Sequence, residues 1–485
     1  MQAVLPVLLP LATAAATACT AHHRRWQQAL SWLGAIAFFA VAAQLTVTAA
    51  AECHTRTQFG HWPAPMAIEF HIDRTSALLL LVAATLALAV LLSLQADADS
   101  GPRRPSRLPL LHGTLAGVAG AFCTADLFNL YVWFETMLIC ALGLLAMGRR
   151  PDQLDAAFKY LGLNLFGTLL LLAGIGLVYG ATGQLNYTAV GKAARMLDPA
   201  MRQALIALLG MALLLKAAAF PLCAWLPASY HTLPAPALAL LAGLLTKTGV
   251  YALLRLAAEV FHPVPPALSE GLGWVAAATM LAGVLGAAYH WDLRRILAFH
   301  IVSQIGYILL AIALGGHGAA LFYTVHHIIV KANLFLVAGM VFALTGSYDL
   351  RRIGGLYAAR PGLALLFAVP ALSLVGVPPL SGFWSKLLVL QLALAQGRPV
   401  WAALVLVVGV LTMYSMTKVW MEAFWKPHPH PEGMPAGAAA PRLGPAWAAV
   451  AGLAAVTLWI GLDPQPLLAY VQAAAAGFGG AGVGR

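Results

Sequence analysis

Long apolar runs separated by short polar, basic or Pro/Gly-rich breaks govern this chain. They fall near residues 2–21, 28–50, 75–95, 108–124, 127–147, 157–179, 203–223, 235–257, 271–290, 296–314, 319–344, 361–392, 401–424 and 445–462. A helix that crosses a bilayer needs roughly 20 apolar residues and satisfies its own backbone hydrogen bonds in lipid. Each run predicts one such helix, which makes fourteen candidate spans. The stretch 181–202 is more polar and is predicted to lie outside the bilayer or along its surface. The first run carries small residues before Cys19, as a signal peptide does. It lacks a basic segment ahead of it, however, and Arg24 and Arg25 follow it. It therefore reads as a retained helix.

Composition agrees with a membrane protein and narrows the alternatives. Of 485 residues, 61% are hydrophobic and 9% charged, whereas a soluble domain has about 25% charged residues. That shortfall excludes an ordinary water-soluble enzyme and a disordered chain. The net charge of +11 would suit nucleic acid, but the Lys and Arg positions assign it to topology instead. With the N-terminus outside, fifteen fall on inner loops or helix ends: 24, 25, 103, 104, 107, 149, 150, 159, 294, 295, 351, 352, 360, 426 and 442. Eight fall outside: 56, 74, 192, 195, 202, 255, 398 and 485. By the positive-inside rule both termini are expected outside. The outer cluster at 192–202 runs against this bias.

The remaining cations are Lys216, Lys247, Lys331, Lys386 and Lys418, five of the chain's eight lysines, and all lie inside apolar runs. No arginine does so clearly; Arg255 is placed at a helix end. Arginine stays protonated, whereas a desolvated lysine can release its proton. Burying lysines while keeping arginines at the ends suits proton chemistry.

The segment Pro221-Leu-Cys-Ala-Trp225 in the seventh run is echoed by Pro379-Leu-Ser-Gly-Phe-Trp384 in the twelfth. Runs four to eight and nine to thirteen are two sets of five. An odd number makes the second set enter from the opposite face, an inverted repeat. A Pro near mid-span removes a backbone hydrogen bond, so helices 7 and 12 are expected to be broken. Broken helices at matched positions point to an ion site.

Glu135 is the only acid deep in an apolar run. A lone intramembrane carboxylate is expensive unless paired, and Lys216, five residues before Pro221, is its expected partner. The pair reads either as a proton-loading switch or as a structural ion pair. Lys247, His327, Lys331 and Lys386 follow on neighbouring runs. His327 and Lys331 are four apart and share a helix face. Together with Lys216 they suit a relay in the membrane plane with bridging waters. His300 and His326 are accessory candidates. So are Lys418 and Glu422, which are spaced for an i,i+4 pair.

The five cysteines form no C-x-x-C pair or metal spacing: Cys19, Cys123, Cys140 and Cys223 sit in or beside apolar runs and Cys53 stands alone. The tract holding His428 and His430 reads as a solvated loop. No nucleotide-binding fingerprint or nucleophile elbow is present. No cofactor or metal is expected.

Six segments carry a family resemblance: Asp126-Leu-Phe-Asn-Leu-Tyr-Val-Trp-Phe-Glu135, Leu214-Leu-Lys-Ala-Ala-Ala-Phe-Pro221-Leu, Leu244-Leu-Thr-Lys-Thr-Gly-Val-Tyr251, Leu297-Ala-Phe-His-Ile-Val-Ser-Gln-Ile-Gly-Tyr307, His326-His-Ile-Ile-Val-Lys331-Ala-Asn-Leu-Phe, and Pro378-Pro-Leu-Ser-Gly-Phe-Trp-Ser-Lys386. The chain resembles the D-type subunits of Mrp-type multisubunit Na⁺/H⁺ antiporters, within the antiporter-like subunits shared with respiratory complex I and membrane hydrogenases. The likeness is strongest over 108–392. It implies a fourteen-helix, all-α polytopic fold with two inverted five-helix repeats. It also implies a Glu135–Lys216 switch, a central relay of Lys247, His327 and Lys331, and Lys386 at the exit. His231 departs from the family pattern, which leads us to expect a small residue or Pro there.

The expected divisions are 1–107 (helices 1–3), 108–258 (helices 4–8), 271–425 (helices 9–13) and 426–485 (a loop and helix 14). The expected role is a non-enzymatic, proton-translocating subunit of a hetero-oligomeric monovalent cation (Na⁺)/proton antiporter in a bacterial inner membrane. It would contact partner subunits and lipid but no nucleic acid. A proton-pumping subunit of a complex I-like or hydrogenase assembly is the alternative, and a solitary solute carrier is the third reading.

Overall fold

The apolar runs become helices in the computed structural model, which describes residues 2–52, 54–58, 68–96, 105–429 and 443–480. Cys53, Arg103, Arg104, His430, Arg442 and Arg485 lie outside the described residues. Helices α1 (Leu5–Cys19) and α2 (Arg24–Glu52) lead into an antiparallel pair, β1 (His54–Gln58) with β2 (Glu69–Asp73), in which His54 faces Asp73. Then come α3 (Arg74–Ala96), α4 (Arg107–Cys123), α5 (Leu127–Ala146), α6 (Pro151–Thr182), α7 (Tyr187–Ala194), α8 (Pro199–Ala217), α9 (Trp225–Ser229) and α10 (Ala235–Arg255). The rest is α11 (Pro266–Tyr289), α12 (Leu293–Ala313), α13 (His317–Thr345), α14 (Leu356–Ala359), α15 (Pro361–Val375), α16 (Ser381–Ala395), α17 (Pro399–Trp420), α18 (Gly444–Leu462) and α19 (Gln465–Gly480).

Twelve helices among the described residues are long and apolar enough to cross a bilayer, so the chain is a multi-pass membrane protein. They match twelve of the fourteen predicted spans. The other two differ. α4 has 17 residues, at the lower limit of about 17 for a crossing. The predicted span 361–392 is divided into α15 and α16, of 15 residues each. Helix length alone therefore does not establish fourteen crossings. The hairpin β1–β2 and the helix α19 are additions that the hydrophobic pattern did not predict.

Burial sorts the helices. Every residue of α10 is buried, and α12 and α13 are largely so. α6 and α17 instead present Phe158, Phe166, Leu169, Leu406, Val410 and Tyr414 outward, as expected where lipid is the solvent. The polar and ionisable groups are thus gathered on the central helices.

The two sets of five helices share more than their prolines. α6 ends in Thr182-Gly183-Gln-Leu-Asn186, and α13 in Thr345-Gly346-Ser-Tyr-Asp349. Both glycines take left-handed backbone, φ 66° and 72°. Each threonine hydroxyl accepts from the backbone N–H two residues on, at 3.2 and 3.4 Å. Each turn clamps the start of an earlier helix: Leu127 N donates to Leu185 O at 3.0 Å, and Leu293 N to Tyr348 O at 2.9 Å. Asp126 and Asp292 cap those helices through their side chains. Five long apolar helices separate the matched turns, the odd number expected of an inverted repeat.

Candidate functional site

The helix-7 break begins one residue after Lys216. α8 ends at Ala217, and Ala218 adopts left-handed backbone at φ 60°. Pro221 cannot continue the helix because it lacks an N–H. Trp225 Nε1 donates 3.0 Å to Leu215 O, which also accepts from Ala218 N at 3.0 Å, and Phe220 N donates to Thr279 Oγ1 on α11 at 3.0 Å. The second break follows Val375. Gly376 takes φ 96°, a conformation costly for a side chain. A Cβ on Gly382 would overlap the Ser373 carbonyl oxygen, so the two halves of this helix approach as only glycine allows.

Each broken helix has a lysine at its break, where unsatisfied carbonyls give the first half its negative dipole end: Lys216 in the last turn of the first half of helix 7, and Lys386 in the second half of helix 12, reaching back. Lys386 Nζ donates to Val375 O, the last carbonyl of α15, at 2.7 Å. Lys216 lies in the last turn of α8 and reaches sideways. Its Nζ donates to Thr168 Oγ1 at 2.6 Å and to Asn164 O at 3.0 Å, and stands 5.7 Å from the Phe134 ring.

The expected Glu135–Lys216 ion pair is not formed. Glu135 is within electrostatic reach of Lys216, but its Oε1 is buried with no hydrogen-bond partner. The ammonium is held by α6 instead. Asn164 and Thr168, polar and four residues apart in an apolar helix, are the site residues that sequence reasoning missed, and that spacing was the available signal.

The central candidates converge. Lys247 is completely buried and donates to Ala242 O at 2.6 Å. Lys331, equally buried, donates to Leu297 O on α12 at 3.2 Å. His327 lies within electrostatic reach of Lys247, Lys331, His326 and His300, and neither of its ring nitrogens has a partner. His326 Nδ1 sits 2.8 Å from Ser381 Oγ, which is 3.0 Å from Ser373 Oγ, so this accessory residue touches the helix-12 break directly. His300 Nε2 meets Ser415 Oγ at 3.0 Å. Buried atoms without partners recur along the row: Thr246 Oγ1, His300 Nδ1, Gln304 Nε2, His326 Nε2 and both polar atoms of Asn333. Leaving such a group unsatisfied costs about 1–3 kcal/mol, and bridging water is the usual partner in protein interiors.

Lys418 and Glu422 do not pair with each other. Lys418 donates to Ala288 O and His290 O at 2.7 and 2.6 Å, while Glu422 pairs with Lys426 at 2.9 Å. The open carbonyls at the end of α11 outcompete the carboxylate one turn away. Arg255 needs correction too. It is at a helix end but buried, neutralised by Asp73 at 2.7 Å and Glu259 at 3.1 Å. Burial works against the Asp73 carboxylate, yet the Arg255 guanidinium holds it well below the usual carboxylate range. Burial pushes neighbouring His71 down to about 4, against the pull of Asp73.

At the opposite face, His231 borders a crevice of about 660 Å³ that reaches the helix-7 break at Phe220 and Pro221. Its Nδ1 is 3.0 Å from Pro227 O, so that nitrogen carries the proton. Nε2 then accepts from Arg295 Nη2 at 3.0 Å. His231 thus ties the end of broken helix 7 to α12.

Comparison with known proteins agrees with this architecture. The family model described as NADH:quinone oxidoreductase/Mrp antiporter, TM, matches residues 124–412. The chain is 34% identical to the D-type subunit of the Na⁺/H⁺ antiporter of Alkalihalophilus pseudofirmus, over 96% of this chain and 95% of that one. It superposes on a chain of the Mrp complex from Dietzia sp. with TM-score 0.89 and 32% identity, covering 98% and 97% of the two chains. A chain of an archaeal membrane-bound sulfane sulfur reductase also superposes with TM-score 0.89, at 26% identity over 99% and 98%.

Proposed function

The chain belongs to the family of D-type Na⁺/H⁺ antiporter subunits, within the NADH:quinone oxidoreductase/Mrp antiporter membrane subunits, and from that membership we propose that it is the proton-translocating subunit of a multisubunit Na⁺/H⁺ antiporter. It is a transporter subunit rather than a catalytic enzyme, works beside partner subunits, and sits in a bacterial inner membrane with both termini outside. Residues 108–258 and 271–425 form its inverted repeats, flanked by 1–107 and 426–485.

One observation carries the mechanism: Lys216, Lys247, His327 and Lys331 are buried titratable side chains set among unpartnered polar atoms, with half-buried Glu135 beside Lys216 and half-buried Lys386 at the helix-12 break. In this reading Lys216 has two positions. It now rests on Thr168 and Asn164; in the other it meets Glu135, whose carboxylate favours the charged ammonium. Moving between them loads or releases a proton. The unpartnered His327 and the polar atoms around it hold the waters that pass the proton on to Lys331. The His326–Ser381 contact links that step to the helix-12 break and Lys386. Na⁺ moves the opposite way through the assembled complex.

Expressing the complete gene cluster in a bacterium lacking its own antiporters tests this. Growth in high Na⁺ should be restored, and everted vesicles should collapse a proton gradient on Na⁺ addition. The equally close superposition on the sulfane sulfur reductase chain supports a second reading, a proton-pumping subunit of a redox-driven complex. Proton movement driven by electron transfer, with no Na⁺ response, would select it.

A further inference from the structure

A cavity of about 410 Å³ lies between α8, α10 and α11, and every residue lining it is apolar. Ile206, Met211, Leu214, Leu253, Leu268 and Leu272 form much of its wall. One end reaches Phe220 and Pro221, which also border the crevice at the helix-7 break, so these two residues are the wall between the cavities. The other end is marked by Val264. There Arg202 Nη2 donates to Phe261 O at 2.9 Å and to Pro263 O at 2.8 Å, and Arg202 lies one turn from Ile206 on the same helix face. Arg202 Nε is buried and has no hydrogen-bond partner. α7 packs its Gly191 against the backbone of Glu259 and Val260 beside this mouth, and Lys192 and Arg195 are exposed near it in sequence.

We propose that this groove is a phospholipid site, with one acyl chain in the cavity and the headgroup phosphate on Arg202. An apolar cavity stays dry and takes apolar ligands, and within a bilayer the apolar ligand at hand is an acyl chain. A basic side chain at the interface attracts an anionic headgroup. The site also gives a reason for the Lys192–Arg202 cluster, which the positive-inside bias left unexplained. The chain packs on Phe220 and Pro221 and so steadies the break next to Lys216; that consequence alone rests on the ion-translocation reading above.

The test uses the assembled complex reconstituted with phosphatidylglycerol that carries a photoreactive diazirine near the end of one acyl chain. Label should concentrate on peptides within 206–222 and 264–275. A Cβ at Gly210 or Gly271 meets nothing within 4 Å, so Gly210→Leu and Gly271→Leu point side chains into the groove without a backbone clash, and assembly of each variant is checked beside the labelling. Each should lower labelling about tenfold, the equivalent of about two displaced methylenes. Gly176→Leu, on the exposed face of α6 with equally open surroundings, should leave it unchanged. Arg202→Gln should lower it about fivefold. Labelling spread evenly over the exposed faces of α6 and α17, or undiminished in Gly210→Leu, overturns the proposal. Labelling is read by mass spectrometry and needs no antiport, so its failure is distinct from failure of the transport reading.

Discussion

Replacing Thr168 by Val removes one contact and little else. Thr168 is 1% exposed, and its hydroxyl accepts the shortest hydrogen bond that Lys216 makes, 2.6 Å. Valine keeps the branched shape, so packing between α6 and α8 is retained. A hydrogen bond to a charged group is worth about 1.5–3 kcal/mol, and water has little room to replace it. Lys216 keeps Asn164 O at 3.0 Å, which limits the loss toward the lower figure. If antiport requires the ammonium to rest on α6 between proton transfers, the rate should fall about tenfold. The assay is Na⁺-driven recovery of a proton gradient, followed by a pH-sensitive dye in everted vesicles at matched levels of assembled complex. Thr168→Ser keeps the hydroxyl and should retain most of the rate, separating the hydrogen bond from the methyl group. A wild-type rate in Thr168→Val refutes this resting position for Lys216.

Three further outcomes are expected. Gly382→Ala drives a Cβ into the Ser373 carbonyl and should destabilise the purified complex by about 1–3 kcal/mol, read as a lower melting temperature. His71 has a folded-state value of about 4 against an ordinary 6.5. Its contribution is therefore complete above pH 6.5 and is lost as pH falls toward 4, by at most about 3 kcal/mol; melting temperatures across that window should flatten in His71→Asn. Glu422→Gln breaks only a pair with half-exposed Lys426 and should change stability by about 0.5 kcal/mol or less, whereas Lys418→Ala should cost more because the carbonyls of Ala288 and His290, at and just past the end of α11, lose their donor.

The amino-acid pattern carried most of the architecture. Apolar runs located the spans to within a few residues, and Pro221 with Pro378–Pro379 located both breaks. The pattern also marked the buried lysines, because a charge inside an apolar run stands out against its neighbours. What it did not carry was pairing. Spacing suggested Lys216 with Glu135 and Lys418 with Glu422, but backbone carbonyls freed at helix ends and breaks, together with one threonine hydroxyl, compete for the same ammoniums. Those acceptors belong to the fold and not to any residue letter. His326 and His327 show the same limit: adjacent in sequence, they point to different surroundings, one to the serines of the helix-12 break and the other to the gap between Lys247 and Lys331. The matched Thr-Gly turns at 182 and 345 were present in the sequence all along, but their meaning needed the left-handed backbone and the clamped helix starts.

The central claim is that Glu135 and Lys216 form a moving pair that drives proton transfer, and Na⁺-driven gradient recovery in vesicles carrying Glu135→Gln or Lys216→Ala tests it most directly. Both variants should assemble into the complex at wild-type abundance and show no antiport. Normal recovery in both, at the same abundance, would contradict it.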